Sequence, residues 1–191
     1  MTFDAYHATD RKNLNTILNT NFTYRQNNEH WLGNGVYFFL DPALADDWCE
    51  KQKKSYQYGH IKNGIIIHVL IHVDGNDLLD LRQLDEYNYV RRNFEKFISK
   101  LRTMNINIEE MRPKQLVCSF FDMLQASEHI KCFIANFNER SNSLPKSLKK
   151  QTEALWTQFN MPFVETQVCL FDVSCITLKE EFQYEAKYKE V

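Results

Sequence analysis

Residues 31–48 read WLGNGVYFFLDPALADDW, and the way this stretch divides decides the fold. Gly33 and Gly35 lead into a short apolar run, Val36 to Leu40, whose β-branched and aromatic residues suit a strand. Asp41-Pro42 then gives a helix start: a capping carboxylate followed by proline, whose fixed φ suits the first helical position. That helix carries Ala45, Trp48 and Cys49 on one face. A dinucleotide fingerprint of the GxGxxG kind follows a strand and opens a helix. Here the Gly-x-Gly precedes a strand, so a doubly wound nucleotide fold is not indicated. Two glycines beside a strand instead permit the close approach of a ligand or of another backbone.

Upstream, residues 6–22 read YHATDRKNLNTILNTNF. Phe3 to His7 suits a short strand. Thr9 or Asp10 caps a helix with Leu14, Ile17 and Leu18 at helical spacing, and Asn21 is expected as its left-handed stop. Downstream, Gly64 to Val73 alternates cleanly, with Ile65, Ile67, Val69, Ile71 and Val73 on one side and Ile66, His68, Leu70 and His72 on the other. Helical stripes follow over 86–101 and from Arg112-Pro113 onward. Strands are expected at Ile130–Phe137, Val164–Phe171 and Ile176–Tyr184, with a polar loop over 138–150 and a helix ending near Phe159. The mixed order argues for an α+β domain with a helical insertion near 85–127.

Bulk properties agree with one domain over residues 1–191. The apolar fraction of 43% supports a core, and 14% aromatic residues leave rings free for stacking. The net charge of −2 gives no global basic field that would advertise nucleic acid. The five cysteines are widely spaced with no CxxC, so no zinc knuckle or redox pair is expected, and they read as buried thiols in the cytoplasm. Met1-Thr2-Phe3-Asp4 lacks a basic region followed by an apolar run, so no signal peptide is expected, and no apolar run is long enough to place the chain in a membrane. His68 and His72 stand about 13 Å apart along a strand at ~3.3 Å per residue, too far to share a metal. No metal site is expected.

The motifs YHAT and LGNGVYFF, followed by an Ala-x-x-Trp helix, resemble the NAD-dependent ADP-ribosyltransferases, in the branch of the poly(ADP-ribose) polymerases and related bacterial enzymes. The likeness covers residues 3–50 and 160–185. Trp48 lies eleven residues after Tyr37, where that branch has a further aromatic. The resemblance implies a split mixed or antiparallel β-sheet with flanking helices, and NAD as substrate. His7 would bond a ribose hydroxyl. The backbone at Ala8, where glycine is usual, and neighbouring Thr9 would hold the nicotinamide amide. Tyr37, with room made by Gly35, would stack on the nicotinamide ring, and Trp48 would wall its other side. Ala45 replaces a serine usual at that position, and Arg25 is a candidate for the diphosphate. The third motif falls on ETQVCLFD, which aligns the catalytic position with Gln167. Glutamine cannot place negative charge beside an oxocarbenium-like sugar or accept its proton. Glu165, two residues earlier on the same strand face, is the candidate carboxylate.

The resemblance further implies a cytoplasmic mono-ADP-ribosyltransferase acting on a macromolecular acceptor, protein, RNA or DNA. Bacterial or phage effectors of this type include toxins held by an antitoxin or inhibitor protein and factors in phage defence. Two alternatives stand beside it: a non-catalytic module that binds NAD, RNA or protein, and an NAD glycohydrolase. Basic clusters at Arg91, Arg92, Lys96, Lys100 and Arg102, and at Lys146, Lys149 and Lys150, are where a nucleic-acid or acidic acceptor would lie.

Overall fold

A computed structural model describes residues 1–24, 26–27, 29–54, 61–138 and 164–185. Within these residues seven strands form one mixed sheet: β1 (Thr2–Asp10), β2 (Val36–Phe39), β3 (Gly64–His72), β4 (Leu78–Asp80), β5 (Cys132–Asn138), β6 (Val164–Leu170) and β7 (Ile176–Phe182). Their spatial order is β4-β5-β6-β2-β1-β3-β7. Only β4 and β5 run parallel; the other neighbours are antiparallel. The expected α+β mixture is therefore present, as one continuous sheet. Its weakest seam is central. β1 pairs with β3 along its whole length, but with β2 only at Tyr6 opposite Phe39.

Among the described residues four helices flank the sheet: α1 (Leu14–Asn19), α2 (Pro42–Lys54), α3 (Leu84–Thr103) and α4 (Pro113–Glu128). Asp10 caps a 3-10 turn, Arg11–Asn13, that runs on into α1; its carboxylate accepts from the Lys12 amide at 3.1 Å. The same carboxylate accepts from Lys62 N at 2.7 Å and Asn63 N at 3.2 Å, tying the end of β1 to the turn before β3. Asn21 does not end α1 in a left-handed conformation. The non-glycine residues with positive φ, among those described, are Asn105 and His129. Asn21 instead donates its side-chain amide to Val173 O at 3.1 Å. Asp41 caps α2 as expected, accepting from Ala43 N at 2.9 Å.

Strand alternation sorts the core. Ile65, Ile67, Val69 and Ile71 of β3 pack with Val36, Phe38, Val168 and Leu170 on one face, covered by Ile17 and Phe22. On the other face α2 packs Ala45 against Phe39 and Ile66. Beside it, Phe120, Phe121 and Leu124 of α4 press on Phe133, Ala135 and Cys169, together with Val90 of α3. Fully burying each Val, Leu, Ile or Phe side chain among these contributes about 1.5–3 kcal/mol of transfer free energy.

The segment expected as an insertion near 85–127 is integral. α3 and α4 form the crossover that joins parallel β4 to β5, a connection that needs a dozen or more residues. β4 is too short to leave a pattern, and its existence was not legible. The expected loop at 138–150, with its Lys146, Lys149 and Lys150 cluster, and the helix ending near Phe159 lie outside the described residues. Among the described residues no helix is long and apolar enough to cross a membrane. The thiols of Cys49, Cys118, Cys132 and Cys169 are buried, and Cys175 is half-buried; all five are free.

Candidate functional site

The three sequence motifs arrive on three adjacent strands. β1 carries His7, Ala8 and Thr9, β2 carries Tyr37, and β6 carries Glu165 and Gln167. Sequence separation of more than a hundred residues between β2 and β6 closes to a ladder in which Tyr37 faces Cys169 and Phe39 faces Gln167. Arg25 lies outside the described residues.

Their side chains do not all share one face. Tyr6 is opposite Phe39, so His7 is level with Phe38, and successive strand residues point to opposite sides. The His7 ring packs against Phe22 at 5.0 Å and Phe38 at 5.5 Å. Tyr37, Phe39, Ala8, Ala45, Trp48, Glu165 and Gln167 belong to the other face. The expectation of a single pocket built from His7 and Tyr37 side chains is therefore corrected by the period of two. What joins them is backbone. His7 Nδ1 meets the Tyr37 carbonyl at 2.7 Å, where β1 and β2 have ceased to pair.

That contact fixes the chemistry of the ring. A carbonyl only accepts, so Nδ1 carries the proton and Nε2 is left as an acceptor. Burial lowers the pKa of His7, and this outweighs the raising effect of the Tyr37 carbonyl. The neutral ring can accept a hydroxyl proton at Nε2, for which no described residue supplies a partner. His7 lines a cleft of about 630 Å³ between the end of β1, α1 and the turn at 61–62. Lys12, Lys62, Asn13 and Thr23 bring polar and cationic groups to its wall. Thr9 is buried, its hydroxyl accepting from Asn13 Nδ2 at 3.0 Å.

On the opposite face, Tyr37 is committed at both ends. Its hydroxyl donates to Gly33 O at 3.0 Å and accepts from Leu32 N at 2.8 Å, and burial pushes its pKa well up. Its ring meets His30 edge-on at 5.3 Å. Trp48 is 43% exposed and leans on Phe39 at 6.3 Å. Among the described residues no ring contact joins Tyr37 to Trp48, so the two expected nicotinamide walls stand in separate clusters. Glu165 and Gln167 share a face as their spacing requires, and the Gln167 amide donates to the Glu165 carboxylate. Both are partly exposed.

The glycines are also reassigned. A Cβ on Gly35 would lie 2.6 Å from Cys169 Sγ and 2.8 Å from the Leu170 carbonyl. One on Gly33, at φ +86°, would lie 2.7 Å from Asp122 Oδ1. The room they leave is occupied by β6 and α4 of the same chain. Sequence reasoning missed Asp122, Cys118 and Asn34, which meet behind this turn. The signal available was small: Cys118 and Asp122 lie four apart on α4, beside its apolar stripe.

Other features resolve as structural. His68 bonds Asp4 through Nε2 at 2.7 Å and Glu180 through Nδ1 at 2.8 Å. His72 pairs with Thr2 at 2.8 Å. Among the described residues no group of three or more His, Cys, Asp or Glu could hold a metal ion. Arg91, Arg92, Lys96, Lys100 and Arg102 are exposed along α3.

Among curated proteins, the chain is similar to an uncharacterized protein of Methanocaldococcus jannaschii, 25% identical over 108 residues. The match takes in 56% of this chain and 48% of that protein, so the chain spans about half the length of the curated relative it matches. No family model matches the chain, and no solved structure matches it.

Proposed function

We propose that the chain is an NAD-dependent mono-ADP-ribosyltransferase of the ADP-ribosyltransferase fold, breaking the nicotinamide–ribose bond and passing ADP-ribose to a macromolecular acceptor. The observation that carries the reading is the adjacency of β6, β2 and β1, which gathers three motifs from residues 2–10, 36–39 and 164–170. His7 Nε2 accepts a ribose hydroxyl. Lys12 and Lys62, on the cleft wall, offer the positive charge that a diphosphate requires, a role the sequence had offered to Arg25. Glu165 supplies negative charge beside the oxocarbenium-like sugar, and Gln167 orients that carboxylate through its amide. A reactive acceptor, such as a base amine or a guanidine, needs least help from so small a catalytic set. Bacterial or phage effector roles, with an antitoxin as partner, belong to the same proposal.

One observation favours a second reading, a module that binds NAD without turning it over. His7 lies on the opposite sheet face from Glu165 and Gln167. Incubation of the pure protein with NAD labelled in its adenylate half, with separated protein, RNA and DNA fractions, decides between them. Nicotinamide release with label on one fraction is the expected result. Release without labelled polymer would make the protein a glycohydrolase. Binding without any release would leave only the binding module.

A further inference from the structure

The crossover helix α4 runs along the segment that delivers Tyr37, and holds it at four points. Arg112, which caps the helix, pairs with Glu29. Lys114 lies 5.1 Å above the Trp31 ring. The Cys118 thiol donates to Asn27 O at 3.2 Å, and burial pushes that thiol up to about 11, so it stays a donor. Asp122 takes both the Asn34 backbone N–H and its side-chain amide, each at 2.6 Å. Lys114, Cys118 and Asp122 recur every four residues, which places them on one face of the helix. This polar stripe meets Asn27, Trp31 and Asn34.

Asn34 is the centre of the clasp. It is only 9% exposed, and its own Oδ1 accepts from Asn27 N at 2.7 Å, drawing the segment back on itself. The residues just before it hold Tyr37, through Leu32 N and Gly33 O. An unbroken chain of bonds therefore runs from Asp122 through Asn34 and the 32–33 turn to the Tyr37 hydroxyl. Gly33 must be glycine here, because its φ is +86° and Asp122 occupies the space of a side chain.

We propose that Asp122 and Asn34 form a positioning pair by which α4 sets the Tyr37 ring for ligand binding. This role rests on the proposed NAD reading, with β2 contributing Tyr37 on the sheet face that carries Glu165 and Gln167 rather than on that of His7. The pair has a distinctive chemical test, because its donors and acceptors can be exchanged. Asp122→Asn alone sets amide against amide. Asn34→Asp alone sets carboxylate against carboxylate. The double exchange restores the set: Asn at 122 accepts the residue 34 backbone N–H through its oxygen and donates its amide to Asp at 34, which still accepts from Asn27.

The experiment measures amide hydrogen exchange at Asn27, Leu32 and Asn34, the Tyr37 ring signals by NMR, and NAD affinity by calorimetry, in the full chain. Each single variant is expected to lose protection at those three amides, shift the Tyr37 signals and weaken NAD binding by roughly tenfold or more, as loss of a charge-assisted hydrogen bond implies. Amides of Ile67 and Val69 stay protected. The double exchange is expected to return all three readouts to within about threefold of the original protein, the non-additivity that marks a direct pair. Unchanged protection in both single variants overturns the clasp. Lost protection with unmoved Tyr37 signals and unchanged affinity overturns its positioning role. If the single variants do not fold, the exchanged pair decides: native protection upholds the proposal and failure to fold sinks it. If the original protein binds no NAD, the NAD reading falls, while exchange and ring signals still judge the clasp.

Discussion

Gly35→Ala separates the two uses a strand-flanking glycine can have. If the glycine makes room for a ligand, an added methyl leaves the free protein untouched and harms only binding. The structure gives the opposite expectation. The new Cβ would sit 2.6 Å from Cys169 Sγ, 2.8 Å from Leu170 O and 3.1 Å from Leu170 C. Favourable contact distances between heavy atoms are about 3.5–4.0 Å, so β2 and β6 must part by nearly an ångström. Cys169 and Leu170 are fully buried, and Leu170 is already in register with Val36, so neither yields cheaply. Overpacking of this kind costs about 1–3 kcal/mol, and contact with backbone puts Gly35 toward the upper end. At roughly 2–4 °C per kcal/mol for a chain of this size, the melting temperature falls by about 5–10 °C. Gly75→Ala is the matched control, since nothing lies within 4 Å of its Cβ. It is expected within about 0.5 kcal/mol of the original. Thermal unfolding of both variants without ligand is the assay. A melting temperature for Gly35→Ala within about 1 °C of the control would refute the argument.

Tyr37→Phe keeps the ring but strips the hydroxyl that ties Leu32 N and Gly33 O, leaving a buried donor unpaired. It should cost about 1–3 kcal/mol by chemical denaturation, and a loss under 0.5 kcal/mol would show that water replaces the bond. Glu165→Gln should lower the turnover of NAD by about a hundredfold or more, as removing a group that meets transition-state charge does, with Gln167→Ala milder at roughly tenfold. Equal losses, or the reverse order, would move the catalytic assignment to Gln167. His68 gives a pH signature. Burial lowers its pKa, but the Glu180 and Asp4 hydrogen bonds and charges more than reverse this, so the folded value is raised. Its stabilisation is therefore complete below the unfolded value of about 6.5 and is lost as pH climbs through the raised folded value. The stability difference between the original and His68→Gln, followed by urea titration, should shrink from pH 6 to pH 9; a flat difference contradicts the assignment.

What the sequence made legible follows periodicity. β3 sets Ile65, Ile67, Val69 and Ile71 on one face and Ile66, His68, Leu70 and His72 on the other, and the first set went to one core cluster and Ile66 to the other, as their positions required. α2, α3 and α4 announced themselves through Asp41-Pro42, Arg112-Pro113 and clear apolar stripes. β4 did not, because Leu78–Asp80 is three residues long and takes its identity from pairing with β5. Asn21 misled because a residue that tolerates left-handed φ is not obliged to adopt it when its amide has a carbonyl to reach. The glycines misled for a related reason. A sequence shows that space is needed beside Gly33 and Gly35, and only the packing shows that Asp122, Cys169 and Leu170 fill it.

The division of the candidate site between two faces carries a geometric demand. His7 and Ala8 are consecutive, as are Tyr37 and Phe38, so strand geometry sends one of each pair to either side. For one dinucleotide to touch His7 Nε2 and also lie beside Glu165, it must pass an edge of the sheet or a break within it. The seam between β1 and β2 is where the continuous sheet comes nearest to such a break, with one paired position. The strands are joined by the Tyr6–Phe39 pair and then by the His7 ring reaching the Tyr37 carbonyl. Substituting His7 by Phe would fill the same space while withdrawing that bond, leaving the two strands joined by the Tyr6–Phe39 pair and by packing. Under the proposed reading, the variant should lose NAD binding by roughly tenfold or more through Nε2 alone. Exchange at the β2 amides should rise while β3 stays protected. NAD binding that survives His7→Phe would mean that the ligand stays on the face of Glu165 and never crosses the seam.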